Sequence, residues 1–442
     1  MRKIGLRLVA VAIVLALAAC SGDDESGAIG NPKKGSADIA QKASVTLKFF
    51  TALPDRTNGA GKVEQDLIDA YMAENPNVKI EVETLQDEPY KSKIKIYAAT
   101  NALPDIMQTW GQPSFIKSLI DNDLLLELNP ASFMESEFVP GSTEGFSKDG
   151  KLYGLPRSTD FLVIYYNRRI FADSGVQVPR TMEELKAAIK TFRNHRINPI
   201  AVNGMDLWTL PIWFEYEQQR QSGDFGKMDE ALDRRIRFTD GNFLAAAEGM
   251  QQLAAMGAFA DGYLNADYGA ARNLFGQGQA AMYLMGNWES GLATDGNFSE
   301  DFRRNVGAFP YPASGKGKNT DTALWFGGGY SISKTSKYPD EAIAFLKYFF
   351  SPDHWAKLEW ESGAGMPASS FEMTGKETKL QQQLVAILRA VTSSSGTPIL
   401  DEGTPEWKDA IMNLHSQLLT GQLTPVQFAE ALDSAAERTN KP

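Results

Sequence analysis

From Val45 onward, segments of strand and helix character take turns along the chain, and this alternation restricts the fold more than any other property. Val45-Thr-Leu-Lys-Phe-Phe50 reads as a strand ending at the turn-prone Leu53-Pro54-Asp55. Val63, Leu67, Ile68, Tyr71 and Met72 then recur at helical spacing until Asn75-Pro76-Asn77 stops the helix. A second strand is expected from Val78 to Leu85, a helix from about Tyr90 to Thr100, and a third strand at Asp105-Ile-Met-Gln108. That order builds an α/β body on a mainly parallel sheet. It recurs at Phe161-Leu-Val-Ile-Tyr-Tyr166, apolar enough for a buried strand, and at Thr181-Met-Glu-Glu184. The latter matches a capping box ahead of Leu185, Ile189 and Phe192 on one helix face. Thr424-Pro425 opens a last helix, with threonine as cap and proline in the first turn.

The chain has 442 residues, more than one core holds comfortably, so two α/β lobes are expected. Ahead of them, Arg2, Lys3 and Arg7 flank an apolar run from Ile4 to Ala19 that ends in Leu17-Ala-Ala-Cys20. The run falls short of the roughly 20 apolar residues of a membrane span. It reads as a secretory signal over residues 1–19, with Cys20 as the lipid-attachment site and residues 20–43 as a small, polar, flexible tether. Cys20 is the only cysteine, so neither a disulfide nor a thiolate metal site is available to the body. His195, His354 and His415 lie far apart in sequence, which argues against a histidine-metal enzyme. Removal of residues 1–19 leaves a charge of (44 − 3) − 55 = −14, unsuited to nucleic acid or an anionic lipid surface as main partner.

Several stretches carry a resemblance. Leu103-Pro-Asp-Ile106, Tyr153-Gly-Leu-Pro156 with Ile164-Tyr-Tyr-Asn167, Val178-Pro-Arg-Thr-Met-Glu-Glu-Leu185, Phe275-Gly-Gln-Gly-Gln-Ala-Ala-Met282 with Gly286-Asn-Trp288, and Gly327-Gly-Gly-Tyr-Ser-Ile-Ser333 stand in this order. Together they resemble family 1 of the extracellular solute-binding proteins, the sugar-binding lipoproteins of ABC importers of maltose and raffinose type. The resemblance implies a two-lobed, Venus-flytrap periplasmic-binding-protein fold with several inter-lobe crossovers. One lobe would comprise 44–159 and 328–362, the other 160–327 and 363–442. It further implies permease membrane subunits and a cytoplasmic ATPase as partners. The chain has no phosphate-binding G-x-x-x-x-G-K-[ST] loop of its own.

A sugar offers an apolar C–H face to aromatic rings, and hydroxyls to carboxylates, amides and guanidinium groups. Trp110 follows the third strand at its carboxyl end, where open α/β sheets place ligands. Trp208 stands between a strand and a new helix, Trp288 follows Gly286-Asn in a turn, Trp325 precedes a glycine triplet, and Trp407 begins a helix. These five are candidate stacking platforms, Trp288 with the most support from the family comparison, whereas Trp213, Trp355 and Trp360 occupy helical positions suited to a core. Asp160, just before the buried strand and at the apparent first crossing between lobes, is the leading polar contact, with Arg157 as its partner or a second contact. Gly327 and Gly328 permit a close backbone approach at a hinge and cleft edge. Lys91, Lys93 and Lys95 read as a solvated helix face.

The expected function is a lipid-anchored, extracytoplasmic, monomeric receptor that binds a carbohydrate, an oligosaccharide, and delivers it to an importer. No cofactor, metal or catalytic residue is expected. Two alternatives stand beside it. The same fold would take a polyamine, a metal ion or a phosphorylated solute, although no cluster of Arg or Lys marks an anion site. A secreted glycoside hydrolase would need a catalytic carboxylate pair, and no eight-fold strand–helix repeat supports a barrel for it.

Overall fold

The computed structural model describes residues 43–439. The expected signal, Cys20 and the tether up to residue 42 lie outside the described residues. Ten strands make up the two main sheets: β1 (Val45–Thr51), β2 (Val78–Thr84), β3 (Ile106–Trp110), β4 (Leu155–Pro156), β5 (Thr159–Asn167), β6 (Asn198–Ala201), β7 (Ala280–Gly286), β8 (Val306–Phe309), β9 (Leu324–Phe326) and β10 (Gly328–Ile332).

The first sheet runs β2-β1-β3-β10-β4. β1 pairs in parallel with β2 and β3, as strand–helix–strand units require. β10, arriving from more than 200 residues later, adds antiparallel to β3 and β4. In the second sheet, β8-β5-β7-β6, only β6 and β7 are parallel; β9 also pairs antiparallel with β5. The mainly parallel sheet expected of the opening strands holds for β1, β2 and β3, whereas the second sheet has a single parallel pairing. There the central β5 is followed by a long helical excursion, and its neighbours return from distant parts of the chain.

Each sheet has its own core. Phe49, Leu67, Tyr90, Ile106, Tyr330, Phe345 and Trp355 belong to one cluster around the first sheet. The second sheet is covered on one face by a cluster containing Ile164, Leu185, Trp213 and Trp407, and on the other by one containing Tyr165, Phe275, Tyr283 and Trp360. Thr181 caps the helix Met182–Asn194 with the expected reciprocal capping box, Glu184 returning a bond to the cap backbone. Trp213, Trp355 and Trp360 are buried, as their helical spacing indicates.

The chain passes between sheets at short segments. β4 ends at Pro156 in the first sheet and β5 starts at Thr159 in the second; β9 ends at Phe326 in the second and β10 starts at Gly328 in the first. The helix Trp355–Ser362 bridges them again, with Trp355 in the first core and Trp360 in the second. Backbone hydrogen bonds lace these segments together: Arg157 N–H to the Gly328 carbonyl (2.7 Å), Thr159 N–H to Met366 (2.9 Å) and Ala368 N–H to Arg157 (3.1 Å).

Candidate functional site

A cleft of about 410 Å³, within the range of small-molecule sites, opens where the passing segments meet. Side chains from both sheets' ends line it, among them Trp110, Gln112 and Arg157 on one side and Trp208, Trp288 and Trp325 on the other.

The second wall is aromatic. Trp208 lies at the start of the helix Thr209–Ser222, and its ring centroid is 6.1 Å from that of Trp288. Trp288 in turn meets Trp325 edge-on at 6.0 Å, so three indoles form one continuous surface. The seat of Trp288 is dictated by its two predecessors. A Cβ at Gly286 would overlap the Trp288 ring, so only glycine lets the indole fold back over the end of β7. The Gly286 backbone is extended (φ −75°, ψ 163°), a conformation open to any residue, so the requirement is steric. Gly286→Ala is therefore expected to displace Trp288 at a cost of about 1–3 kcal/mol in stability. The check is a changed near-UV circular dichroism of the coupled indoles.

Asn287 connects this wall to the polar centre. Its side-chain oxygen accepts from Phe161 N–H (2.9 Å) and its amide donates to the Thr159 carbonyl (2.8 Å), so it grips the backbone on both sides of Asp160. Asp160 is 7 % exposed and lines the cleft. Burial pushes its carboxyl up to about 6, against the opposing pull of the Ser158 hydroxyl and the Arg157 guanidinium. Arg157 reaches towards Gln108 and the Tyr330 hydroxyl, both at 3.4 Å, and stands over the faces of Tyr330 and Trp355.

Further along the second wall, Arg272 is held between two buried acids. Its Nε donates to Glu289 (2.8 Å) and its Nη2 to Asp295 (2.9 Å), while the Tyr268 hydroxyl also donates to Glu289. Although burial works against the charge, the two carboxylates keep the Arg272 guanidinium firmly protonated. Across the cleft Trp110 meets Tyr90 and Phe115 edge-on, and Lys91 Nζ lies 5.2 Å over its ring. Lys91 corrects an expectation. It is not on a solvated face: Asp87 (3.0 Å) and Glu88 (2.8 Å) pin it, and it lines the cleft because the first turn of the helix Asp87–Ala99 faces inward. Ser114, from the first sheet's side, donates to Asp401 (2.6 Å), which also pairs with Lys408 at the cleft edge.

Of the residues expected from sequence, Trp110, Asp160, Trp208, Trp288, Trp325 and Gly328 come together around this cleft. Trp407 does not. It is fully buried in the first turn of the helix Pro405–Leu419, where it stacks on Phe238 and donates its indole N–H to the Ile399 carbonyl (2.8 Å). Gly327 does not line the cleft either; a Cβ there would overlap the Asp160 carboxylate, so its role is to make room for that group. Sequence reasoning missed Gln112, Arg272, Glu289, Asp295 and Glu359, all on the cleft. For Glu359 a signal was present: it stands four residues after Trp355 on the buried face of the same helix, where a carboxylate is out of place without a task.

Four buried polar atoms on this lining have no hydrogen-bond partner: Gln112 Oε1, Arg157 Nε, Trp208 Nε1 and Glu359 Oε2. Two are donors and two acceptors. Buried polar atoms are paired as a rule, and these four belong to residues that line one cleft, so a ligand that both gives and takes hydrogen bonds would complete them.

Residues 55–354 match the model of the bacterial extracellular solute-binding protein family. The chain is 22 % identical over 358 residues to the multiple sugar-binding protein of Streptococcus mutans, covering 78 % of each chain. It is 23 % identical over 445 residues to the galactooligosaccharide-binding protein of Bacillus subtilis, covering 99 % of this chain and 96 % of that one. A solved structure from work on xylan utilization by the thermophilic bacterium Caldanaerobius polysaccharolyticus superposes with a TM-score of 0.81 at 27 % identity, over 88 % of this chain and 99 % of that one.

Proposed function

Because the chain belongs to the bacterial extracellular solute-binding proteins, we propose that it binds a carbohydrate, an oligosaccharide, in the cleft between two lobes and passes it to an ABC importer. The observation that carries this reading is the pairing of the three-indole wall with two unpartnered donors and two unpartnered acceptors. A saccharide meets both, since its C–H faces pack on aromatic rings and each hydroxyl donates and accepts. A phosphorylated solute would leave Gln112 Oε1 facing an acceptor-rich group. A polyamine would leave Arg157 Nε and Trp208 Nε1 facing donors. The relatives named for multiple sugars and galactooligosaccharides support the same class.

The lobes in this proposal are 44–159 with 328–362 and 160–327 with 363–442, hinged at the lacing around Arg157, Gly328 and Met366. Ligand touching both lobes raises the closed population in proportion to its extra affinity for that state. The partners are permease subunits and, through them, a cytoplasmic ATPase. Cys20 would carry the lipid anchor, and the protein would act as a monomer without catalysis.

A thermal-shift series with xylotriose, chitotriose, raffinose and maltotriose, against spermidine and glycerol phosphate, tests the ligand class. Saccharide at a hundred times its dissociation constant stabilises the folded state by about 2.7 kcal/mol, a plain rise in melting temperature. Shifts confined to spermidine or glycerol phosphate would reject the carbohydrate.

A further inference from the structure

Five glutamates are buried among the described residues: Glu64, Glu215, Glu217, Glu289 and Glu359. Four have evident work inside the fold. Glu64 accepts from Thr51 and Tyr330, Glu215 from Ile399 N–H, Glu217 from the Tyr311 hydroxyl, and Glu289 from Tyr268 and Arg272. Glu359 is different. It is 2 % exposed and lines the cleft, yet its Oε2 meets no partner.

Its placement is built. Glu359 shares a helix face with Trp355, whose indole N–H donates to the Arg157 carbonyl (3.0 Å) and so ties that helix to the crossing segment beneath Asp160. On its other side a Cβ at Gly365 would overlap Glu359 Oε1, so the glycine leaves room for the carboxyl to reach the cleft. An alkyl side chain would fill this position without the penalty of a buried, unpaired carboxyl oxygen. A carboxyl persists there at a gain only if something entering the cleft completes it.

We infer that Glu359 is a specificity-determining contact of the cleft, its free Oε2 accepting a hydroxyl of the bound saccharide. The inference rests on the carbohydrate reading and deepens it. Asp160 and Glu359 then address the ligand from two different elements at the crossings, the start of β5 and the helix Trp355–Ser362, so hydroxyls placed to reach both are selected. Burial pushes the Glu359 carboxyl up to about 8, with Arg157 pulling the other way and Asp160 adding to the rise. A carboxyl that keeps its proton at neutral pH is matched in shape and polarity by an amide, so glutamine is a conservative replacement here.

The test is calorimetric titration of the wild-type protein, Glu359→Ala and Glu359→Gln with xylotriose, chitotriose, raffinose and maltotriose, alongside the ligand-free melting temperature of each. The expected result is a tenfold or greater loss of affinity in Glu359→Ala for whichever trisaccharide the wild type binds, most of it restored in Glu359→Gln. A purely structural role would move the melting temperature and not show this pattern of loss and rescue. Should Glu359→Ala not fold, Glu359→Met, which keeps the length of the side chain, carries the same expectation. Wild-type binding with undiminished affinity in the alanine or methionine variant would overturn the contact and leave the carbohydrate reading in place. No binding of any of the four by the wild type would remove that reading, and the contact with it.

Discussion

Trp288→Ala should bind the saccharide about tenfold more weakly than the wild type while melting close to it, and Trp407→Ala should do the reverse. Trp288 is half-buried, lines the cleft and touches both Trp208 and Trp325. Its removal takes the middle out of the aromatic wall, a loss of about 1–2 kcal/mol of binding, with little core disrupted. Trp407 is fully enclosed, stacked on Phe238 and hydrogen-bonded to Ile399. Truncating it leaves a large cavity between the helix Pro405–Leu419 and its neighbours, at about 3–5 kcal/mol. Titration calorimetry and thermal melts on the two variants separate the roles. Equal affinity in Trp288→Ala, or an unaltered melt in Trp407→Ala, would contradict the placement of that residue.

The second large effect concerns pH. Burial pushes Glu215 and Glu359 up to about 8, from an ordinary value of 4.5. Between those limits the unfolded chain has released each proton and the folded protein still holds it. Folding stability therefore falls as pH rises through this window, by about 1.4 kcal/mol per pH unit for each group, and stays low above it. Burial raises Asp160 and Asp206 to about 6 and Glu402 to about 7, and these act in the same direction over narrower windows. On the acid side His415, whose ring burial holds neutral down to about 3, opposes them. The unfolded chain takes up that proton below about 6.5, so this contribution is lost as pH falls. The melting temperature should accordingly be highest near pH 5 and decline by pH 8. Glu215→Gln, which is not on the cleft lining and can keep its acceptor for Ile399 N–H (3.1 Å), should flatten the decline by a few kcal/mol at pH 8. A melting temperature that rises from pH 5 to pH 8 would contradict the buried, protonated state of these groups.

Much of this arrangement could be read from the sequence because it depends on local rules. The capping box at Thr181, the opening strand–helix–strand order, and tryptophans beside Gly or Asn at strand ends are properties of a few consecutive residues. Asp160 was legible because it directly precedes the uninterrupted apolar run of residues 161–166. Cleft-lining positions on helices were not, since which helix face meets the cleft is set by docking of distant segments. Lys91 turned out to be pinned over Trp110, and Arg272 to sit between Glu289 and Asp295. Trp407 misled for the same reason: a first-turn residue behind the Thr404 cap can point outward or inward, and here Phe238, from a segment about 170 residues earlier, claims it. The antiparallel entry of β10 beside β3 was equally hidden, because register between strands so far apart leaves no local trace.

The most direct measurement is a crystal structure of the protein grown with the trisaccharide that gives the largest thermal shift. The expected result places a sugar ring against Trp288, with hydroxyls at Asp160 and within hydrogen-bond distance of Arg157 Nε and Trp208 Nε1. Density for the trisaccharide elsewhere, such as the second cavity walled by Glu183, Lys186 and Glu217, with the indole wall left bare, would contradict it.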